Sequence, residues 1–195
     1  MDTERNNEFL EEMKKRLKTE RLYHSICVAE QARHLAKIYN ADEEKAYTAG
    51  LVHDIMKYEE PEKAIKMIEE DGRNKMTESE KKILPTIHAV AGEVFLRTKL
   101  GLTDEEILSA VRYHTTGKEN MTLMEKIIYV SDLTGADRNY KDVDEVRKTA
   151  ETDLDMACLM GLEFTIEKNL KANRPIHMDT IKAYNYITER MEQNG

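Results

Sequence analysis

Apolar residues recur at helical spacing along almost the whole chain, and this pattern limits the fold more strongly than any other feature. In the segment 22–39 they lie three or four residues apart and would form one buried stripe: Leu22, Ile26, Ala29, Ala32, Ala36 and Tyr39. No segment alternates apolar and polar residues with the two-residue period of a strand. Only 8 of the 195 residues are Gly and 3 are Pro, so few residues interrupt the helical pattern. The sequence therefore predicts an all-α fold.

The helical segments follow one another along the whole chain. They are predicted at 6–18, 22–39, 44–54, 61–71, 88–100, 104–114, 123–132, 142–149, 153–172 and 178–193. Predicted N-caps are Asp42, Thr77, Thr103 and Thr122, whose side-chain oxygens can accept hydrogen bonds from free backbone N–H groups. Pro85 is expected to interrupt regular structure. No internal repeat, linker or domain boundary is evident, so residues 1–195 are predicted to form a single domain.

Composition and charge exclude several classes of function. The formal net charge is -8, which argues against nucleic acid as the main partner but leaves room for a small anionic substrate. No stretch approaches the length of a membrane span, and the charged segment 1–16 lacks the apolar core of a signal peptide. Cys27 and Cys158 lie far apart without metal-site spacing and are expected to be buried thiols. We therefore expect a cytoplasmic protein that is not bound to a membrane.

Four histidines and two aspartates are the residues best placed to carry chemistry. Each lies at the edge of an apolar helical segment: His24, His53, Asp54, His88, His114 and Asp132. His53 and Asp54 directly follow the apolar run 49–52, a position that is hard to explain at the surface. A buried carboxylate needs a cation, and a metal ion supplies one without leaving an unpaired charge.

Imidazole nitrogens and carboxylate oxygens suit first-row divalent metals. Six protein ligands are too many for one metal that keeps an open position, but they fit two metals bridged by a carboxylate and a hydroxide. The competing interpretation is structural, because a single histidine on an apolar face is more often a hydrogen-bonded core residue than a ligand. The pair His53 and Asp54 leaves both interpretations open, whereas the six residues together favour metal. His34 is predicted to be a surface residue.

The order of these residues resembles that of the HD-domain superfamily of metal-dependent phosphohydrolases. More closely, the chain is similar to its YqeK-type branch, the bacterial symmetrical diadenosine-tetraphosphatases. The matching stretches are 21–25, 49–57, 87–89, 107–117, 125–132 and 173–177. A His-Asp doublet alone is a weak signal. The run Arg-Tyr-His-Thr-Thr-Gly at 112–117 together with Arg-Pro-Ile-His at 174–177 is much more specific.

The resemblance implies a helical bundle with a core at about 21–172, flanked by an N-terminal charged helix and a C-terminal helix packed on it. It also implies a di-iron centre that cleaves diadenosine tetraphosphate into two ADP. By the resemblance, one metal is held by His24, His53, Asp54 and Asp132, and the second by His88 and His114 with Asp54 bridging. The residues implied to bind the nucleotide are Arg21, Lys57, His88, Thr115, Arg138, Arg174 and His177.

Two departures from the family pattern stand out. The family usually has Glu-Pro after the last aspartate ligand, whereas this chain has Gly135 and Ala136 before Arg138. Met178 stands where Pro is usual. Neither change affects a predicted ligand position.

The expected chemistry assigns different tasks to Asp54 and Lys57. Asp54 bridges the metals that generate a hydroxide nucleophile, and Lys57, three residues later, neutralises charge on phosphate. A lysine at a helix end is more commonly a solvated surface residue, and only its spacing from the doublet favours catalysis. The ligand types also accept manganese or zinc in place of iron.

Other functions are compatible with the same residues. They are another nucleotide phosphohydrolase of the superfamily (acting on a monophosphate, a deoxynucleoside triphosphate or a guanosine alarmone), a di-iron oxygenase, and a non-catalytic nucleotide sensor. The 11 methionines and the amphipathic end helices suit a homodimer face and suit a core equally well.

Overall fold

The chain folds into helices in nearly all of its described length. A computed structural model describes residues 3–78 and 80–194, and within these ranges it contains ten α-helices, one 3₁₀ turn and no strand. The helices are α1 (Thr3–Arg16), α2 (Thr19–Ile38), α3 (Glu43–Val52), α4 (Pro61–Asp71), α5 (Leu84–Lys99), α6 (Glu105–Tyr113), α7 (Leu123–Thr134), α8 (Val143–Thr152), α9 (Leu154–Lys171) and α10 (Met178–Asn194). The all-α prediction is confirmed. Met1, Asp2, Ser79 and Gly195 of the predicted domain lie outside the described residues.

Helices α2 and α3 approach each other closely, and Gly50 makes this contact feasible. A Cβ atom at Gly50 would lie 2.8 Å from the Cα atom of Ala29, so any larger residue would force the two backbones apart. Ala32, Leu35 and Val52 are fully buried in the core around this contact. The close approach fixes the end of α3 beside the first turns of α2.

The end helices belong to the same hydrophobic core. Phe9 and Met13 of α1 are almost fully buried, as are Ala183 and Ile187 of α10, and all four are part of one apolar cluster with the central helices. Burial of such side chains contributes about 1.5–3 kcal/mol each for the larger ones.

Two predicted helix starts are wrong in detail. Pro85 does not break α5 but lies in its first turn. Backbone N–H groups in the first turn have no carbonyl partner within the helix, so the N–H that proline lacks costs no helical hydrogen bond. Asp104, not Thr103, is the N-cap of α6, and its Oδ1 atom accepts hydrogen bonds from Glu106 N and Ile107 N. Aspartate is at least as good a cap as threonine, and its charge also suits the helix N-terminus.

Other predicted local features are confirmed. Thr122 caps α7 in a reciprocal capping box with Glu125. Cys27 and Cys158 are both free and buried. His34 is exposed, with its Nε2 atom 3.4 Å from Glu151.

Within the described ranges, no helix combines the length and hydrophobicity needed to cross a membrane.

Candidate active site

The fold brings all six predicted metal-binding residues into one buried cluster. His24 lies in α2, His53 directly follows α3 and is followed by Asp54, His88 lies in α5, His114 directly follows α6, and Asp132 lies in α7. The four histidines and Asp54 are at most 7% exposed, and the Asp132 side chain is 19% exposed. The imidazole rings form a chain from α2 to α5, with neighbouring centroids 4.9–5.4 Å apart.

The carboxylate of Asp54 lies at the centre of this cluster, and its two oxygens face different histidines. Oδ2 is 3.3 Å from Nε2 of His53. Oδ1 is 2.9 Å from Nε2 of His88 and 3.5 Å from Nε2 of His114. One carboxylate therefore connects two halves of the cluster.

Backbone hydrogen bonds fix which nitrogen of two histidines faces the cluster. Nδ1 of His53 donates to the carbonyl oxygen of Gly50 at 2.7 Å, and Nδ1 of His114 donates to that of Val111 at 2.7 Å. Because a carbonyl oxygen can only accept, each Nδ1 carries the proton. In the neutral rings, both Nε2 atoms then present a lone pair to the cluster, as a metal ligand must.

His24 is oriented by two carboxylates. Its Nε2 atom lies 2.9 Å from Oδ1 of Asp132, and its Nδ1 atom lies 2.8 Å from Oδ2 of Asp137. Arg138 packs beside this pair, with Nε donating to the backbone oxygen of Asp132 at 2.7 Å. Gly135 leaves space for the turn, because a Cβ there would lie 3.0 Å from Oδ1 of Asp137.

The cluster contains buried polar atoms whose close contacts are not well-formed hydrogen bonds. In the part of the chain that the structure describes, neither Nε2 of His53 nor Oδ1 of Asp54 makes a hydrogen bond of acceptable geometry. An unsatisfied buried polar atom costs about 1–3 kcal/mol, and more if it is charged. A bound cation would satisfy both atoms.

The spacing of the ligand atoms also fits metal ions. Ligands that each lie about 2.0–2.2 Å from an ion are separated from one another by roughly 3–4 Å. Two groups have ligand atoms that all lie within 4.8 Å of one another, and His53 belongs to both. The groups are His24, His53 and Asp132, and His53, Asp54 and His114. His88 adjoins the second group through its Nε2 atom, 3.2 Å from Nε2 of His114.

The environment holds the acids ionised and one histidine neutral. Burial would raise the pKa of Asp54, but the neighbouring imidazoles, His53 first, hold the pKa of its carboxyl well below the usual range. At Asp132 burial is likewise outweighed, chiefly by the close contact with the His24 imidazole, and its pKa is also lowered. Burial lowers the pKa of His88 to about 4. Ionised carboxylates and neutral imidazoles are the forms that bind metals.

Arg21 and Lys57, both predicted to bind substrate, contact the Asp54 carboxylate directly. Nη1 of Arg21 donates to Oδ2 of Asp54 at 2.8 Å, so Arg21 is held by this carboxylate, one turn before His24. Nζ of Lys57 lies 3.3 Å from Oδ1 of Asp54 and 3.1 Å from Nε2 of His88. Lys57 therefore contacts predicted ligand atoms and also borders a cavity. Its position in the sequence does not reveal the contact with the ligands.

A cavity of about 350 Å³ opens beside the cluster and reaches from its ligands to α9 and the start of α10. His114 and Asp132 lie at its floor, and cationic side chains surround it: Lys57, Arg138, Lys168 and Arg174. Arg138 pairs with Asp132, whereas the cationic groups of Lys168 and Arg174 have no carboxylate partner among the described residues. The cavity can therefore bind a small anion despite the acidic net charge of the chain.

The other predicted nucleotide-binding residues also line this cavity. Thr115 has a buried Oγ1 atom that finds no hydrogen-bond partner in the described ranges. His177 is 6% exposed, with Nδ1 accepting from Asp179 N–H at 3.1 Å and Nε2 lying 3.5 Å from Glu80. Burial lowers the pKa of His177.

An aromatic pair on the cavity wall is absent from the sequence predictions. Tyr140 stacks on Phe164 with ring centroids 5.6 Å apart and an interplanar angle of 26°. Phe164 is 49% exposed, which is unusual for so large an apolar side chain. Asp137, the partner of His24, and Lys168 in the cavity lining are further residues of the candidate site that sequence reasoning misses. For Asp137, its position directly before Arg138 was the only available signal.

The helical fold and the His/Asp cluster define the class of protein, a metal-dependent hydrolase of the HD type. The family model described as HD domain matches residues 21–137, and the chain belongs to this family. Two relatives are each 38% identical and are described as bis(5'-nucleosyl)-tetraphosphatase, symmetrical. The match to the protein from Halalkalibacterium halodurans covers 91% of this chain and 94% of that protein. The match to the protein from Bacillus subtilis covers 90% of this chain and 93% of that protein. The resemblance drawn from the motifs is confirmed.

A solved structure shares the fold. The crystal structure of a protein from Clostridium acetobutylicum, described as a "predicted HD superfamily hydrolase involved in NAD metabolism", superposes with a TM-score of 0.92 at 38% identity. The match covers 94% of this chain and 97% of that protein.

Proposed function

We propose that the protein is a symmetrical bis(5'-nucleosyl)-tetraphosphatase, which hydrolyses diadenosine tetraphosphate to two molecules of ADP. This proposal rests on the cluster around Asp54, whose ligand residues border a cavity lined by cationic side chains. The names of the relatives supply the substrate, and the geometry supplies a site with suitable chemistry.

The metal centre that we propose contains two divalent transition-metal ions, with iron as the first candidate and manganese or zinc as alternatives. His24, His53, Asp54 and Asp132 would hold one ion, and His88 and His114 would hold the other. The two oxygens of Asp54 support a bridging role, because one faces His53 and the other faces His88 and His114. When bound, such ions lower the pKa of water and neutralise phosphoryl oxygens.

The protein's own groups would position the polyphosphate. Arg138, Lys168 and Arg174 would bind its charges from the cavity walls, and the buried hydroxyl of Thr115 would donate to a phosphate oxygen. His177 would hold the cavity wall through Glu80 and the first turn of α10. Arg21 would act on substrate only indirectly, by fixing the Asp54 carboxylate.

Lys57 would act at the reacting phosphate. Its ammonium group lies within 3.3 Å of Asp54 and lines the cavity, so it can turn toward charge that develops on the leaving oxygen. Preorganised charge of this kind stabilises a phosphoryl-transfer transition state without the cost of reorienting water.

The stacked pair Tyr140 and Phe164 favours a nucleotide over inorganic polyphosphate. Its partly exposed rings border the same cavity as the cationic residues. Base stacking on an aromatic side chain contributes about 1–3 kcal/mol per base. We propose that one adenine stacks here.

The decisive experiment compares nucleotides with purified protein, with and without added metal. Diadenosine tetraphosphate should be turned over far faster than monophosphates, deoxynucleoside triphosphates or guanosine alarmones, and a chelator should abolish turnover. Binding without turnover would favour a nucleotide sensor. Oxygen consumption with a reduced iron centre would favour an oxygenase.

The setting that we propose is the cytoplasm, and the partners are the dinucleotide and its ADP product. The buried, unpaired cysteines are compatible with a reducing compartment. The net charge of -8 supports the absence of a nucleic-acid partner. A homodimer stays a proposal, which sedimentation would test.

A further inference from the structure

A second cavity, of about 290 Å³, adjoins the first. Its walls include Met56, Lys57, Leu84, Pro85, Ile87 and His88. Lys57 and Pro85 line both cavities, so the two spaces meet at these residues.

The meeting point lies at the ligand cluster. His114 lines the first cavity and His88 lines the second, while their Nε2 atoms are only 3.2 Å apart. Both atoms face Oδ1 of Asp54, at 3.5 Å and 2.9 Å. A polyphosphate chain that passes over Asp54 would therefore have one end in each cavity.

The second cavity differs chemically from the first. Its walls are mainly apolar, with Met56 and Ile87 almost fully buried and Leu84 54% exposed at the edge. Among the residues that the structure describes, Lys57 is the only lysine or arginine in its lining, and Glu59 contributes a carboxylate. Its Oε1 atom accepts a hydrogen bond from Glu60 N–H at 3.3 Å, and its Oε2 atom lies 3.9 Å from Nη1 of Arg16. Apolar walls suit the faces of a base, and the remaining acceptor positions of the Glu59 carboxylate can accept hydrogen bonds from ribose hydroxyls.

We propose that the second cavity binds the second nucleoside of the dinucleotide, with the scissile anhydride held between the cavities at Asp54. This inference rests on the proposed function. The volume lies near the lower end of the range for small-molecule sites, roughly 300–1,000 Å³, as expected for half of a dinucleotide. The arrangement explains how attack falls at the middle of a symmetric substrate, because each half then occupies its own cavity.

The test compares diadenosine tetraphosphate with adenosine tetraphosphate, which has the same four phosphates and a single nucleoside. Leu84→Trp places an indole at the edge of the second cavity, at a position exposed enough to accept it. The preference of kcat/KM for the dinucleotide should fall at least roughly tenfold, mainly through KM, since apolar contact with one nucleoside is lost. Leu123→Trp is the matched control, because Leu123 is 40% exposed and lines neither cavity.

The number of ADP molecules that the metal-loaded protein binds is a second measurement, which tests the wild type as well as the variant. Calorimetry should show two ADP per chain for the wild type and one for Leu84→Trp. A single ADP per wild-type chain, or an unchanged substrate preference in Leu84→Trp, would overturn the second nucleoside site. If either result is found while the wild-type protein still hydrolyses the dinucleotide, the proposed function is unaffected. Absence of dinucleotide hydrolysis by the wild type would refute that function separately.

Discussion

Oδ2 of Asp137 lies 2.8 Å from Nδ1 of His24, on the side of the imidazole opposite to the Asp132 carboxylate. A carboxylate in this position fixes the ring orientation and keeps the proton on Nδ1, which leaves Nε2 as the ligand atom. The chain thus places a supporting carboxylate on His24 from the turn that follows α7.

Asp137→Ala should weaken metal binding at the group of His24, His53 and Asp132. Loss of such a supporting partner typically reduces metal affinity 10- to 100-fold. Metal titration of the apoprotein would measure the change. Glu70→Ala is a suitable control, because the side chain of Glu70 is 67% exposed and its ion pair is with Lys66 in the same helix. Unchanged affinity in Asp137→Ala would show that His24 needs no such support.

Asp54→Asn should remove both metal ions. Asparagine keeps the size of the side chain but lacks the charge that faces both halves of the cluster. Elemental analysis should find close to two ions per wild-type chain and almost none in the variant, whose activity falls to background. Retention of both ions and full turnover by Asp54→Asn would mean that the His-Asp doublet is structural. One tight ion at saturating metal in the wild type, with His88 and His114 free, would refute the dinuclear centre.

Lys57→Ala should slow the reaction while leaving the metal content intact. Lys57 touches Asp54, but three imidazoles and Arg21 also surround that carboxylate, so the ligand set persists without the lysine. Removal of one preorganised charge typically lowers kcat on the order of 100- to 1000-fold. Lys66→Ala provides the control, since the side chain of Lys66 is 76% exposed. Wild-type turnover in Lys57→Ala would remove Lys57 from the mechanism.

Phe164→Ala should weaken binding of ADP but not of pyrophosphate. Loss of a stacking surface costs about 1–3 kcal/mol, which corresponds to roughly 5- to 150-fold in affinity. Phe164→Tyr keeps an aromatic ring next to Tyr140 and should retain most of the affinity. Equal losses for ADP and pyrophosphate would indicate a damaged cavity instead of a lost base contact.

The sequence predicts the parts of this molecule that depend on local pattern. Helices such as α4, which begins at Pro61, follow from periodicity and end signals within the segment. The six residues of the cluster are recognisable because each terminates or interrupts an apolar run. The resemblance implies that Arg21 binds the nucleotide, and the structure adds that its guanidinium donates to Asp54. That contact depends on the packing of α2 against α3, which decides where so long a side chain ends.

Features that join distant segments are not predictable in this way. Tyr140 and Phe164 lie on either side of α8, and neither belongs to a recognisable motif. Asp137 lies 113 positions from His24, and its hydrogen bond depends on how the chain turns after α7. The second cavity arises where the turn after α3 meets the first turn of α5, a contact with no sequence signature.

The most direct test of the central claim is the product pattern from diadenosine tetraphosphate at early reaction times. If the cluster at Asp54 holds the middle of the phosphate chain, as we propose, metal-loaded protein will release ADP as the only nucleotide, and Asp54→Asn will release none. Appearance of ATP together with AMP would place the attack at another phosphorus and contradict symmetrical cleavage.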